Sequence, residues 1–474
     1  MWRDEWMPLA VSRFTGGYGE FFEHIKYVGR IVYFSLCWAL GQLDSNLLLF
    51  KLTIVLISSF GVFVLCRFSP FTRLQKVLFS FGYYPLYEYG TILRDYSLIW
   101  VLAVTCCALL NSARWRPLVF SVSLAFLFQT NPFGLALGCA FGAAYAFDAW
   151  QSGRFRWAVV RQLPVIGGIL VASSSFVMAI ATMMPPPHIA EIVLGQPLRQ
   201  DSHFVRLLES LPFPFRAWLP IPLFGSWNSQ ILDAFPLAQI VLGLIIGICI
   251  LMVISQSKKA LFLFVAGMLA LGAVLCHIPW TALRYHGGYF ILLMLSYWTL
   301  LRNGDGKTAE LSVFALVNLA RRHAAPMVTG LLVVHTVVAA IFLIQEQVIP
   351  FSGSKAAAEI IRKNAPRGSL VVGDPDFLMI PLAGYLDQEV FIASRRELGS
   401  FTKVDTKRRP TILTPGELSE VINEQLVMQQ RDIVLVTGYE IGLPKEAGRL
   451  IGATRSICGE NYFIYLVCYS PSRL

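Results

Sequence analysis

The chain has 474 residues, of which 55% are hydrophobic and 14% are charged, and its formal net charge is +10 at pH 7. Its mean hydropathy is +0.59, which is higher than a soluble globular domain requires. The basic residues are spread over short segments between apolar stretches and form neither a patch nor a stripe, so nucleic acid is excluded as a partner. The composition predicts a protein that crosses a lipid bilayer several times.

Ten apolar stretches are long enough to be transmembrane helices. A hydrocarbon core of roughly 30 Å needs about 20 residues of helix, because an exposed backbone finds no water inside the bilayer. The predicted crossings lie near residues 46–67, 75–93, 96–112, 117–131, 132–150, 160–184, 232–256, 260–278, 285–302 and 327–347. We therefore expect a multispanning α-helical transmembrane domain over residues 46–349.

Lys and Arg residues fall almost wholly at alternate connections between these stretches, and the positive-inside rule assigns that set to the cytoplasm. The set consists of Arg67, Arg73, Lys76, Arg114, Arg116, Arg154, Arg156, Arg161, Lys258, Lys259, Arg302, Lys307, Arg321 and Arg322. The other connections, including a long loop at about 185–231, are then expected outside the cytoplasm. Both termini are expected there too.

Residues 1–45 are predicted to form an outer first loop and an interfacial helix at 18–41 that has aromatic and charged faces. No signal peptide begins the chain, so for an outward N-terminus one expectation is a further transmembrane helix upstream of residue 1. The other possibility, a crossing from Ile31 to Leu40, is too short to span a bilayer.

Residues 350–474 have the composition of a soluble domain, and their patterns predict a small extracytoplasmic α/β domain. Strands are predicted at 369–373 and 432–436, and helices near 353–364, 376–386 and 414–429. Cys458 and Cys468 flank a turn in this domain. They are expected either to form a disulfide in an oxidising compartment or to remain free thiols.

Ionisable residues gather at four places on the predicted outer side, where charges near lipid usually serve a site or find partners. Asp4 and Glu5 form the first place. Paired carboxylates of this kind deprotonate an acceptor hydroxyl or hold a divalent metal. The alternative is a solvated acidic terminus without chemistry.

The second place is the outer turn that contains Glu88, Arg94 and Tyr96. Arg94 is suited to hold a phosphate in a bidentate fork, and Tyr96 to donate a further hydrogen bond. The alternative is an interfacial belt of Tyr residues in which Arg94 pairs with Asp95 or Glu88.

The other two places are the long outer loop and the entry to the ninth crossing. The loop is rich in Pro and aromatic residues from Pro185 to Trp227, which suits sugar rings or lipid tails or simply an interfacial anchor. At the ninth crossing, Arg284 and His286 are predicted to neutralise a phosphate together. The alternative there is a snorkelling Arg beside an interfacial His.

This order of features resembles the GT-C membrane glycosyltransferases, particularly bacterial members of the dolichyl-phosphate-mannose protein mannosyltransferase superfamily. The shared features are an acidic pair before an interfacial helix, an Arg-x-Tyr at the second outer turn, a long outer loop and an outer C-terminal domain. The sharpest local match is Arg94-Asp95-Tyr96-Ser97-Leu98.

The resemblance implies a GT-C-like fold in the bacterial inner membrane. It also implies that a sugar moves from a polyprenyl-phosphate carrier to an extracytoplasmic glycan, lipid or protein. By position, Asp4 is the expected base, and Glu5 supports it or helps to bind a metal. Arg94 is expected to hold the carrier phosphate, with Arg284 and His286 assisting.

No Walker A or Gly-rich nucleotide loop occurs, so no nucleotide cofactor is expected, and a divalent metal ion is the cofactor that stays open. Two other functions remain open at this point. One is a transporter or flippase for a lipid-linked sugar, although few ionisable residues lie deep in the predicted helices and no internal repeat is visible. The other is a non-catalytic scaffold that binds a cell-envelope partner.

Overall fold

A computed structural model describes residues 3–13, 15–25, 30–43, 47–112, 114, 116–154, 162–183, 203–277, 282–303, 315–403, 412–444 and 446–470. Most of these residues are helical. In chain order the helices are α1 Arg3–Arg13, α2 Tyr18–Ile25, α3 Ile31–Leu43, α4 Leu47–Phe68, α5 Arg73–Ser80, a π-helix Tyr83–Thr91, α6 Tyr96–Leu110, α7 Pro117–Phe128, α8 Pro132–Gln151, α9 Leu163–Met183, α10 His203–Ser210, α11 Phe213–Trp218, α12 Pro236–Ile254, α13 Lys258–Leu275, α14 Leu283–Asn303, α15 Ala315–Val348, α16 Ser354–Asn364, α17 Asp376–Leu386 and α18 Pro415–Gln429.

Six helices in the described part of the chain are long and apolar enough to cross a membrane, namely α4, α8, α9, α12, α13 and residues Arg322–Val348 of α15. Each coincides with a predicted crossing, and large apolar side chains such as Leu56, Phe63 and Leu244 project outward from them. The protein is therefore a multi-pass membrane protein. The predicted total of ten crossings is not reached by these criteria.

The other four predicted crossings are helical but shorter or less apolar. Residues 75–93 divide between α5 and the π-helix, because the chain turns at Phe81 and Gly82. Helices α6 and α7 have 15 and 12 residues, which is short of the length that a perpendicular crossing requires. The last of the four is α14, which is long and almost completely buried among the other helices.

The predicted interfacial helix at 18–41 consists of two helices, α2 and α3, and residues 26–29 between them lie outside the described residues. Phe21 of α2 and Phe34 of α3 are buried against each other and against α1. The apolar sides of these helices therefore pack against protein. An amphipathic pattern in the sequence does not show whether its apolar side contacts protein or lipid.

The C-terminal part contains one six-stranded sheet in the order β3-β2-β1-β4-β6-β5. The strands are β1 Val371–Asp374, β2 Val390–Ile392, β3 Glu397–Gly399, β4 Ile433–Thr437, β5 Gly448–Thr454 and β6 Tyr462–Val467. β1 pairs in parallel with β2 and β4, and the other pairs are antiparallel. Buried apolar side chains on the two faces of the sheet form two separate clusters with helices α16 to α18. We call residues 354–467 the sheet domain.

Cys458 and Cys468 are both free in the structure. They lie at opposite ends of β6, and an extended strand of that length separates its ends by roughly 20 Å. Disulfide geometry needs Cα atoms within about 7 Å, so the disulfide alternative does not fit this strand.

The sheet domain contacts the membrane part mainly through α17 and α1. The indole of Trp6 lies over Gly384, where an added Cβ would come within 2.5 Å of the ring. Tyr385 packs edge-on to the same indole, with ring centroids 5.1 Å apart. Glycine at position 384 therefore allows α1 and α17 to approach closely. Helix α1 is thus the link between the sheet domain and the membrane part.

Candidate active site

The π-helix Tyr83–Thr91 leads into a short non-helical segment that carries Arg94. Asp95 precedes α6 directly, and the hydroxyl of Ser97 donates to the carbonyl of Arg94 at 2.9 Å. π-Helical turns of this kind often occur at functional sites. The segment places the guanidinium of Arg94 inside the protein, where the residue is only 2% exposed.

Asp95 lies close to the Nε atom of Arg94. It is fully buried, and its carboxylate lies 3.5 Å from Arg30 and 4.0 Å from Nε of Arg94. The side-chain amide of Asn131, the residue before α8, donates to the same carboxylate. The predicted Arg94–Asp95 pair therefore exists, and Arg94 also meets a second anion through Nη1.

Asp4 is that anion in the structure. Its Oδ2 atom lies 2.9 Å from Nη1 of Arg94 and 3.7 Å from Nη2 of Arg284. The side chain of Asp4 is 28% exposed, whereas those of Arg94 and Arg284 are 2% and 9% exposed, so the carboxylate is the partly accessible member of this group. The structure thus brings together the first, second and fourth places that the sequence singled out.

The charges around Asp4 set its protonation. Burial raises the pKa of Asp4, but the positive charges of Arg94, Arg3, Arg284 and Arg30 outweigh burial and hold the pKa well below its usual range. The Asp4 carboxylate is therefore ionised across the physiological pH range. An anion that bound to the same arginines would compete with it.

Glu5 has a different role from its neighbour. It is 6% exposed, and its Oε1 accepts the backbone N–H of Leu93 at 2.7 Å. This bond ties α1 to the segment that carries Arg94, and a charged acceptor makes such a bond stronger than a neutral one. The expectation that Asp4 and Glu5 act as a pair does not fit this placement, because Glu5 is engaged with the backbone.

The same geometry bears on the metal expected at this acidic pair. Asp4 is neutralised by guanidinium groups, and Glu5 accepts from a peptide N–H. Within the described residues, no group of three His, Cys, Asp or Glu side chains is arranged to hold a metal ion. The residues present therefore do not fit a divalent cation at Asp4 and Glu5.

Two aromatic rings contact the guanidinium of Arg284. Its guanidinium lies 4.7 Å from the ring centroid of Tyr285 and 4.9 Å from that of Trp227, and it donates to the Tyr285 hydroxyl at 2.9 Å. Cation–π contact of this kind holds a guanidinium without neutralising it. The role of Tyr285 was not predicted, and its adjacency to Arg284 was the only sequence signal.

Glu88 does not lie against Arg94 as one sequence alternative had it. Its Oε2 atom accepts from the indole of Trp227 at 3.1 Å and from the hydroxyl of Tyr83 at 2.9 Å. Glu88 therefore fixes the indole of Trp227, which packs against Arg284, and it contacts neither arginine directly in these hydrogen bonds.

Tyr96 lies beside Arg94, with its ring centroid 5.4 Å from the guanidinium carbon. The ring stacks on Tyr89 at 5.0 Å. Among the described residues the Tyr96 hydroxyl has no hydrogen-bond partner, although it is buried. The ring of Tyr96 thus lies beside Arg94, and the hydrogen bond that its hydroxyl was expected to donate to a phosphate stays a prediction.

His286 does not join Arg284. It is fully buried and stacks on Phe213 at 4.3 Å, and neither ring nitrogen has a hydrogen-bond partner among the described residues. Two positions along an α-helix correspond to a rotation of roughly 200°, so the two side chains leave α14 on opposite sides. The prediction that the two neutralise one phosphate together does not fit this placement.

The rest of the long outer loop contributes less to the site. Pro185 to Asp201 lie outside the described residues, whereas Trp227 at the end of the loop is part of the site. Arg216 of the loop pairs with Asp233, just after the loop, at 3.2 Å. Within the described part of the loop, Trp227 is linked to Asp4 through Arg284.

Comparisons with known proteins give one structural similarity. No known protein family matches the sequence, and no curated protein matches it. Among solved structures, the chain is similar to ArnT from Cupriavidus metallidurans, which was solved with undecaprenyl phosphate bound. The sequence identity is 11%, the TM-score is 0.46, and the match covers 98% of this chain and 93% of ArnT. At such a TM-score the roles of residues in this protein rest on its own contacts.

Proposed function

We propose that this protein is an integral membrane glycosyltransferase that moves a sugar from a polyprenyl-phosphate carrier to an extracytoplasmic acceptor in the cell envelope. One observation carries the proposal, namely that the partly exposed Asp4 carboxylate lies between the guanidinium groups of Arg94 and Arg284. Two arginines form a site for an anion with several oxygens, and a carboxylate within reach of them is a base.

A phosphate on a lipid suits this anion site better than a soluble anion does. The site is formed by segments next to apolar helices, including α6 and α14, which are flanked by the membrane-length helices α4 and α13. A carrier whose tail lies in the bilayer would present its phosphate at the end of such helices. The rings of Tyr96, Tyr285 and Trp227 pack against the guanidinium groups and hold them in place for such a phosphate.

In the proposed reaction, an acceptor hydroxyl attacks the anomeric carbon of the sugar. A new bond forms between the anomeric carbon and the acceptor oxygen, the bond from that carbon to the phosphate oxygen breaks, and its electron pair stays on the phosphate. Arg94 and Arg284 stabilise the negative charge that develops there. The acceptor proton passes to Asp4.

The low pKa of Asp4 in the absence of substrate makes it a weak base, and the substrate itself corrects this. A phosphate bound to Arg94 and Arg284 adds negative charge next to Asp4 and withdraws the guanidinium groups from it. Both effects favour the protonated form and raise the pKa of Asp4. The proton acceptor is thus activated when the donor is bound.

The test is sugar transfer from radiolabelled polyprenyl-phosphate sugars in membranes that contain the protein, compared with Asp4→Asn and Arg94→Ala variants. Loss of transfer in both variants supports the proposal. A wild-type protein that transfers no sugar from any donor but moves the lipid-linked sugar across vesicles would overturn it in favour of a flippase. A protein with neither activity would be a scaffold.

A further inference from the structure

The turn that joins β5 to β6, residues 455–461, is the part of the sheet domain that reaches the candidate active site. The carbonyl of Ile457 accepts the backbone N–H of Trp227 at 3.3 Å. The N–H groups of Ile457 and Cys458 donate to the carbonyls of Pro350 and Phe351 at 3.0 and 3.1 Å. These bonds fix the turn against the end of α15 and against the ring that supports Arg284.

Glu460 in this turn contacts the beginning of α1. It is 3% exposed, and its Oε1 atom accepts the backbone N–H of Arg3 at 3.0 Å. The hydroxyl of Ser352 donates to its Oε2 atom at 2.7 Å, which fixes the carboxylate. Arg3 is the first residue of α1, where backbone N–H groups have no partner inside the helix. A carboxylate there satisfies one such donor and faces the positive end of the helix.

The position of Asp4 follows from this contact, because Asp4 is the next residue after Arg3. The N–H bond from Arg3 fixes the first turn of α1 from the sheet domain, and the bond from Leu93 to Glu5 fixes it from the membrane part. The β5–β6 turn also holds Trp227 through the carbonyl of Ile457, and the ring of Trp227 packs against the guanidinium of Arg284. Both the base and one of the arginines are held by one element of the sheet domain.

We propose that Glu460 is a positioning residue, which holds α1 so that the Asp4 carboxylate meets Arg94 and Arg284 in the geometry that transfer requires. The inference rests on the proposed function, since it assigns a role toward the same reaction. Glu460 touches no substrate, and its effect passes through Arg3, whose backbone N–H donates to Glu460 and whose Nε lies 4.0 Å from Glu460 and 3.7 Å from Asp4. The sheet domain thereby becomes part of the catalytic machinery of the membrane domain.

The experiment compares Glu460→Ala, Glu460→Gln and Ser352→Ala with the unchanged protein in lipid nanodiscs. Glu420→Ala is the matched control, because Glu420 is a glutamate of the same domain whose side chain is 67% exposed. Two quantities are measured, namely the kinetics of sugar transfer and the hydrogen exchange of the peptide that contains α1. The exchange measurement needs no donor sugar.

Glu460→Ala is expected to lower kcat about 10²-fold, while KM for the lipid-phosphate sugar changes less than about threefold, because a small displacement of a catalytic group costs rate more than binding. The amides of α1 are expected to exchange faster in this variant. Glu460→Gln keeps an oxygen that accepts the Arg3 N–H, so it should restore most of the rate. Ser352→Ala should lower kcat by a smaller factor. This variant replaces Glu460→Ala as the test if Glu460→Ala fails to fold.

An unchanged kcat and unchanged α1 exchange in Glu460→Ala would overturn the inference. A loss of rate without faster exchange in α1 would also overturn it, since Glu460 would then act by another route. Faster exchange together with a wild-type protein that transfers no sugar would support the contact with α1 and would overturn the proposed function instead. The two proposals therefore fail in distinguishable ways.

Discussion

The Asp4 carboxylate lies 2.9 Å from the guanidinium of Arg94, although a long stretch of chain and the whole of α4 separate the two residues. The contact joins the first helix of the protein to the turn before α6, and Arg284 approaches the same oxygen from α14. Three distant segments thus meet at one carboxylate.

Asp4→Asn is expected to lower kcat for sugar transfer by about 10²- to 10⁴-fold, which is the usual contribution of a positioned general base. KM for the lipid donor should stay the same or fall, because Arg94 and Arg284 lose the carboxylate that competes with the phosphate. Steady-state kinetics with a radiolabelled donor measures both. Glu23→Gln is the control, since Glu23 is an exposed acidic residue on α2. A fully active Asp4→Asn protein would exclude Asp4 as the base.

Arg94→Lys keeps the positive charge but removes the planar fork that binds two phosphate oxygens. We expect inhibition by sugar-free polyprenyl phosphate to weaken about tenfold, since each 1.4 kcal/mol of lost binding is a factor of ten. Arg67→Lys on the predicted cytoplasmic side should have no effect. Equal inhibition of the Arg94 variant and the unchanged protein would show that the carrier phosphate binds elsewhere.

Removal of divalent metal with a chelator is expected to leave transfer unchanged. The physical reason is that the two carboxylates suited to a metal are already engaged, Asp4 by arginines and Glu5 by the N–H of Leu93. The measurement is the transfer rate before and after chelation, with magnesium or manganese restored as the control. Activity that disappears and returns with the metal would mean that the site rearranges on binding.

Glu5→Ala is expected to act on stability. It leaves the buried N–H of Leu93 without an acceptor, which costs about 1–3 kcal/mol in the free energy of unfolding. Glu5→Gln should lose less, because its amide oxygen still accepts that bond. Thermal unfolding in nanodiscs compares the two, with Glu23→Gln as the control. If Glu5→Gln matched Glu5→Ala in stability, the bond to Leu93 would not be the cause.

Burial raises the pKa of Glu460 from 4.5 to about 7, although Ser352, the N–H of Arg3 and the charge of Arg3 all lower it. Between these two values the folded protein holds a proton that the unfolded chain has lost. The stability contributed by this group is therefore complete below about pH 4.5 and is lost as the pH rises to about 7. The slope is at most about 1.4 kcal/mol per pH unit.

Unfolding of the unchanged protein and of Glu460→Gln should be compared between pH 4.5 and 8. The difference in the free energy of unfolding between the two proteins is expected to change between pH 4.5 and about 7 and to be constant above that range. Asp4 does not contribute to this window, because the pKa of Asp4 is lowered and the group stays ionised there. A difference that is constant at all pH values would show that Glu460 does not titrate near neutrality.

The local elements could be read from the sequence because each is encoded by neighbouring residues. Apolar stretches such as 46–67 and 232–256 are helices of membrane length in the structure. The buried strands β1 and β4 were predicted within two residues of their observed bounds. Where the pattern failed, as at 75–93, the cause was a turn at Phe81 and Gly82 that hydrophobicity alone does not show.

The residues of the site were identified by type, but their roles depended on tertiary contacts. Sequence proposed Asp4, Arg94 and Arg284 because acidic and guanidinium groups are rare near lipid. It also grouped Glu5 with Asp4 and His286 with Arg284, since short separation in the chain was the only information. In the structure Glu5 accepts a backbone N–H and His286 points into the protein, because neighbours on a helix face different directions.

The sequence by itself determined that the chain crosses a membrane, that its C-terminal part contains strands and helices, and which ionisable residues deserved attention. These properties depend on composition and on periodicity within a few turns of chain. Only the tertiary structure decided that Asp4 lies between Arg94 and Arg284, and that Glu460 of the sheet domain holds the beginning of α1. Such contacts join residues far apart in the chain, and the packing of whole helices and of the sheet domain sets their distances.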